Sequence, residues 1–228
     1  MIRNILLDLD DTILDFHQAE KIALTKTLEH LGIEPEEKIL ARYSVLNLEQ
    51  WRLLEQGKLT RKEVKERRYK LLFDEIGADC CAASATKYYE NLLGVGHYFI
   101  DGAEELLKIL SKDYRLYLAS NGTAAVQKSR IKSAGIAKYF DDIFISQKIG
   151  FDKPDIEFFN YCFSKIMDFK KSETVIVGDS LTSDIKGGKS AGITTVWLNP
   201  KGLPYVFDIE PDHIITGLMD LTSLLKGL

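Results

Sequence analysis

An α/β fold, a doubly wound parallel sheet carrying an inserted α-helical module, is what this 228-residue sequence predicts. Short apolar, β-branched runs alternate with helical patterns in the second half of the chain. A long stretch of helical periodicity, roughly 15–98, separates the first such run from the second. Several of the runs also end directly in carboxylates or other polar groups, at the edge where open α/β sheets bind ligands.

The runs at 2–7, 116–119, 143–145, 174–177 and 194–198 read as parallel strands. Helical patterns fill 124–134, 156–166 and 181–191, with Gly135 and Gly192 standing where helices stop. Between the first two strands, amphipathic segments near 17–31, 47–56, 60–76 and 82–93 predict an all-helical insert. The expected division is a sheet-bearing core at 1–14 and 99–228 with a helical module at 15–98. The residues just after Thr12, together with Gly94-Val95-Gly96, are its expected connections.

Composition narrows what the chain binds. Thirty Lys and Arg against 34 Asp and Glu give a net charge of -4, so no general positive field attracts nucleic acid or an anionic membrane. A phosphate-bearing ligand must be captured by local groups, which favours a small molecule over a polymer. The apolar fraction of 45% is that of an ordinary globular protein, and nothing in it calls for a bilayer. Residues 5–7 enter at once on a strand-like run, without the apolar region and cleavage site of an export signal. Cys80, Cys81 and Cys162 are odd in number and lack CxxC spacing, which suggests neither a disulfide framework nor a zinc site. These features together predict a cytoplasmic protein, and a monomer is the expected state.

Four polar groups mark successive strand ends. In Asp8-Leu9-Asp10-Asp11-Thr12 a strand runs into two carboxylates two residues apart. Gly178-Asp179-Ser180-Leu181-Thr182-Ser183-Asp184 repeats the arrangement and then opens a helix. Ser120-Asn121-Gly122 follows the second strand, and Lys153-Pro154 the third. Each alone also fits a turn, a helix cap or a solvated lysine. Four of them at the same sheet edge argue for a site.

In that order the motifs resemble those of the haloacid dehalogenase-like (HAD) superfamily, matched by DLDDT, the serine of ASNGT, the lysine of DKPD and GDSLTSD. The helical insert directly after the first motif resembles the type 1 cap of that superfamily, which closes over small substrates. The resemblance implies a Rossmann-like core and a phosphatase dependent on Mg²⁺. It places Asp8 as the nucleophile that becomes an aspartyl-phosphate, and Asp10 as the general acid and base. Ser120, Asn121 and Lys153 would bind the phosphate, Ser120 and Lys153 stabilising charge on it in catalysis. Asp8, the Asp10 carbonyl and Asp179 would hold the metal, with Asp184 behind them on a bound water or on Lys153.

Rival readings are weaker. Dehalogenases of the superfamily are expected to lack an acid where Asp10 stands. A non-catalytic binding or regulatory relative is expected to lose a motif carboxylate, and none is missing. Against a phosphoacceptor stand Asp10 and the cap, which favour turnover over a stable phosphoryl switch. Gly188-Lys189-Ser190 resembles the end of a P-loop, but Ser183 stands where its first glycine belongs, so it reads as helix surface. His17, His30, His97 and His213 are scattered without ligand spacing; only His17 and His97, at the cap connections, approach the site. For the substrate, Asn47 to Trp51, Glu55 to Thr60 and residues 178–200 resemble bacterial pyrimidine 5′-nucleotidases of the house-cleaning type. That resemblance implies dUMP, dTMP, UMP and modified analogues as substrates, with a sugar phosphate or phosphoglycolate as the alternative. Phe16, Trp51, Tyr88 and Tyr98 offer aromatic faces but read as cap core.

Overall fold

The computed structural model describes residues 1–204 and 209–228. Its strands are β1 (Asn4–Leu7), β2 (Arg115–Ser120), β3 (Asp142–Ile145), β4 (Thr174–Gly178), β5 (Thr194–Leu198) and β6 (His213–Ile215). They form one parallel sheet in the order β3-β2-β1-β4-β5-β6. Five of these strands are the five expected. The sixth has no sequence signal of its own: it is three residues long and Ile214 is exposed, so no buried apolar run marks it. Pairing with β5 makes it a strand.

The chain leaves β1, adds β2 and β3 on one side, then returns to place β4 on the other side of β1. Connections leaving the carboxyl ends of β1 and β4 therefore diverge, opening a crevice at that switch point. The sites of the two Asp-rich motifs follow from this topology, since Asp8 lies just beyond β1 and Asp179 just beyond β4.

The chain forms two compact units, His17–Gly96 and the remainder, against the expected 15–98 for the insert. The smaller unit holds α1 (Phe16–His30, whose first residue belongs to the sheet unit), α2 (Glu37–Glu55), α3 (Arg61–Ile76) and α4 (Ala82–Leu93). Helix α2 starts well before the expected 47, because Ile39, Leu40, Tyr43 and Leu46 already form a buried stripe at helical spacing. A reciprocal capping box between Thr60 and Glu63 starts α3.

Inside this unit the Arg68 guanidinium lies 4.9 Å from the Tyr89 ring centre and beside Tyr43 and Tyr69. It donates to Asn47 Oδ1 (2.8 Å). Asn47 in turn donates to Glu20 Oε1 (2.7 Å), and the Ser44 hydroxyl to Glu20 Oε2 (2.5 Å). Burial pushes the Glu20 carboxyl up, against the pull of Ser44 and Arg68. Of the candidate aromatics, Trp51 donates to Asn47 Oδ1 (3.0 Å) and Tyr88 stacks on His30, both within this unit.

In the sheet unit, α5 (Ala103–Leu110), α6 (Ala124–Ala134), α7 (Ser146–Ile149), α8 (Ile156–Lys165), α9 (Lys186–Ala191) and α10 (Asp220–Lys226) complete the fold. Ile5, Leu7, Leu116 and Val177 face a core shared with Leu106 and Leu107 of α5 and Leu221 and Leu225 of α10. Leu6, Tyr117 and Ile176 point the opposite way, onto Phe158, Phe159 and Phe163 of α8. Both faces are covered, which explains why the strands read as unbroken apolar runs.

The expected helix at 181–191 divides into a π-helical turn, Leu181–Ile185, and α9. Nor is its glycine pair helix surface: Gly187 and Gly188 are buried. A methyl group at Gly188 would lie 2.5 Å from Ile176 Cγ2 and 2.7 Å from Thr195 Cγ2. Gly188 lets α9 lie close on the sheet, and Gly187 lets it lie close on Phe159 of α8. Gly188→Ala is expected to cost about 1–3 kcal/mol through overpacking, read as a thermal midpoint lower by about 2–12 °C.

Candidate active site

The turn after β1 is tight. Asp8 N–H still donates to Val177 O (3.0 Å), continuing the sheet ladder, and the chain then folds back through Ile13 and Leu14 N–H bonds to Leu9 O. Asp11 sits at φ 55°, the left-handed region a short polar residue tolerates, and accepts from Phe16 N–H (2.9 Å). This reversal turns Asp8 and Asp10 to different partners.

Asp8, just beyond β1, is 7% exposed. Its Oδ1 accepts from Lys153 Nζ at 2.7 Å, and the same ammonium donates to Asp184 Oδ1 (2.6 Å) and Ala119 O (2.5 Å). Lys153 is thus buried with its three hydrogens placed on three oxygens. Asp8, Asp179 and Asp184 each bring an oxygen into a group whose members lie within 4.8 Å of one another.

One ammonium among three carboxylates leaves an excess of negative charge. Burial pushes Asp8 up to about 8; Lys153 opposes this, while Asp184 and Asp10 add to it. Asp179 is also raised well above the usual carboxylate range, by burial first and then by Asp8, Asp184 and Asp11. Burial alone would lower Lys153, but Asp184 and Asp8 outweigh it and hold the ammonium above its ordinary value.

The second aspartate motif is shaped by its π turn. Ile185 N–H reaches back to Ser180 O (3.1 Å), and Asp184 Oδ2 accepts from Ser180 N–H (3.1 Å). This brings Asp184 over Gly178, where a Cβ would lie 2.2 Å from its Oδ2. Only glycine admits the approach. Trp197 Nε1 donates to Asp179 O (2.7 Å) and fixes the other end of the motif.

On the β2 side, Ser120 Oγ accepts from Gly122 N–H (3.1 Å) and Gln127 Nε2 (2.9 Å), so its proton remains to be donated. The Asn121 side chain also holds the lysine loop. Its Nδ2 donates to Lys153 O (2.7 Å) and its Oδ1 accepts from Lys153 N–H (2.8 Å), pinning the lysine loop.

Known proteins share both this sequence pattern and this fold. The family model of the haloacid dehalogenase-like hydrolases matches residues 5–198. The chain belongs to that family. It is 41% identical to the HAD-hydrolase YfnB of Bacillus subtilis over 98% of this chain and 95% of that protein. A crystal structure of YfnB bound to magnesium superposes with a TM-score of 0.94, covering 98% of each chain. The pyrimidine 5′-nucleotidase PynA of Streptococcus pneumoniae is 35% identical over 97% of this chain and 94% of its own length.

In this HAD-like hydrolase the three clustered carboxylates fit a hard divalent cation such as Mg²⁺. They are oxygen donors packed close together, and they lack the positive charge that would balance them. Asp184, expected one step behind the metal, offers its oxygen in the same group as Asp8 and Asp179. Asp10 turns its carboxylate away from this group, so a role there rests on its carbonyl. Among the described residues no histidine joins the cluster; His97 Nδ1 pairs with Ser133 Oγ (2.7 Å). No described helix is long and apolar enough to cross a membrane.

Sequence reading misses two residues of α6. Gln127 Nε2 donates to Asp10 Oδ2 at 2.6 Å, and Arg130 Nη1 pairs with Asp10 Oδ1. The available signal was indirect: only Val126 and Ile131 are apolar among the buried residues of α6, so polar side chains complete its inner face.

Proposed function

We propose that this hydrolase is an Mg²⁺-dependent phosphatase that works through an aspartyl-phosphate on Asp8 and takes pyrimidine nucleoside 5′-monophosphates. The observation that carries the mechanism is the separation of the two carboxylates of one motif. Asp8 lies among Lys153, Asp179 and Asp184, whereas Asp10 is held by Gln127 and Arg130. Environments this different suit two different roles.

Bound at Asp8, Asp179 and Asp184, the cation would supply the charge that lets an anionic carboxylate meet an anionic phosphate. Asp8 attacks phosphorus as the P–O bond to the leaving alcohol breaks, and Asp10 gives that oxygen its proton. Water then attacks the aspartyl-phosphate, Asp10 takes a proton from it, and the Asp8 carboxylate is released with inorganic phosphate. Lys153 and the Ser120 hydroxyl stabilise charge on the phosphoryl oxygens.

PynA supports the substrate class, as a relative aligned along nearly the whole chain. The test is phosphate release with and without Mg²⁺ from dUMP, dTMP, UMP, purine monophosphates, phosphoglycolate and hexose phosphates. Mg²⁺-dependent release, greatest on the pyrimidine esters, is expected. Preference for phosphoglycolate or a sugar phosphate would keep the mechanism and replace the substrate. No release from any ester would remove both.

A further inference from the structure

Gln127 and Arg130 are long polar side chains buried almost completely, at 2% and 0% exposure. Placing a guanidinium in the interior is costly unless its partners are well arranged. Their spacing of three residues puts both on one face of α6, turned towards the motif after β1.

They grip Asp10 from both sides. Gln127 Nε2 holds Oδ2 (2.6 Å) and Arg130 Nη1 holds Oδ1, while Arg130 Nη1 also donates to Gln127 Oε1 (3.1 Å). The same Gln127 amide reaches Ser120 Oγ at 2.9 Å. One side chain therefore links the proposed acid–base group to the proposed phosphate-binding hydroxyl.

Gly122 makes room for this link. A Cβ there would lie 2.2 Å from Gln127 Nε2 and 2.4 Å from its Cδ. Three positions of the chain thus converge on the orientation of one carboxylate.

The geometry points to Gln127 and Arg130 as positioning residues for Asp10, orienting its carboxylate for both proton transfers and tying that orientation to Ser120. The inference rests on Asp10 being the acid–base residue of the proposed reaction. A carboxylate oxygen that accepts one hydrogen bond keeps a second lone pair. With one lone pair on each oxygen committed to α6, the directions left for a proton are set by the helix. In the first step the proton moves from Asp10 to the ester oxygen as that oxygen leaves phosphorus. In the second it moves from water to Asp10 as the water oxygen bonds to phosphorus and Asp8 departs.

Two esters distinguish positioning from support of the fold. An alkyl ester such as dUMP needs a proton on its leaving oxygen, whereas 4-nitrophenyl phosphate releases a stable anion without one. In Gln127→Leu and Arg130→Met, kcat on dUMP, or on the best alkyl ester of the panel, is expected to fall on the order of 10²-fold. KM should change little. In Arg130→Met, which leaves the Gln127–Ser120 bond in place, release of 4-nitrophenolate in the first turnover should keep the wild-type rate and be followed by slow steady-state turnover, since hydrolysis of the phosphoenzyme still needs Asp10 as base. In Gln127→Leu, which also frees Ser120 Oγ, that release should fall, but by less than kcat on dUMP.

Gly122→Ala, which displaces Gln127 and with it the Gln127 Oε1 that Arg130 bonds, should give the pattern of Gln127→Leu, and Arg130→Lys should recover part of the loss. A fall in first-turnover nitrophenolate equal to the fall on dUMP, or unchanged turnover of dUMP, would overturn the inference. Wild-type turnover in Asp10→Asn would instead remove Asp10 as the acid–base residue, a failure of the parent reading that this single variant identifies.

Discussion

Asp8→Asn is expected to reduce phosphate release on the order of 10⁴-fold or more, whichever ester is used, because it removes the nucleophile and leaves the rest of the site in place. A structural defect would also lower activity, so stability must be read beside it. Asp8 holds its proton more tightly in the folded chain, up to about 8, than at the ordinary value of 3.8. The folded chain therefore binds more protons than the unfolded chain across that interval. The Asp8 contribution to stability is complete below the lower value and declines as pH rises through the higher one.

In metal-free protein, wild type should thus lose stability relative to Asp8→Asn between about pH 4 and about pH 8. Adding Mg²⁺ should flatten the difference, since the cation replaces the proton as the group balancing the cluster. Thermal melts of both proteins across pH, with chelator and with Mg²⁺, measure this. Equal pH profiles in chelator would show that burial does not hold a proton on Asp8.

Lys153→Met is expected to damage both function and fold. The ammonium joins Asp8 (2.7 Å), Asp184 (2.6 Å) and Ala119 O (2.5 Å) and is 1% exposed. Removing it leaves two buried carboxylates without their cation. Breaking a buried pair in this way costs about 3–5 kcal/mol, which for a chain of this size lowers the thermal midpoint by about 6–20 °C. Asp184→Asn in the Lys153→Met background removes one of the stranded charges. The double variant should therefore recover part of the midpoint while remaining inactive, and a further fall would show that packing rather than charge dominates there.

The strands at 116–119, 143–145, 174–177 and 194–198 were legible because the sheet is covered on both faces, so each carries a largely apolar run. Asp8, Ser120, Lys153 and Asp179 were legible because each directly follows or closes such a run or the loop after it. Strand β6 was hidden because pairing with β5, rather than its own pattern, defines it. Gly188 was misread as surface because a glycine carries no hydropathy signal that says which way it faces.

Residue type and order along the chain were enough to determine the α/β class, the helical insert and where polar groups stand at the strand ends, since these depend on local periodicity and on where polar groups interrupt it. Only the tertiary structure decided how those groups pair. It placed Asp184 beside Asp8 and Asp179, committed the Asn121 side chain to the lysine loop and brought Gln127 and Arg130 onto Asp10. Asp10 and Arg130 are 120 residues apart in the chain, and Asp8 and Lys153 are 145 apart. Their distances are set by strand order and by the close approach of the Gln127 and Asp184 side chains to the backbone at Gly122 and Gly178, which no local pattern encodes.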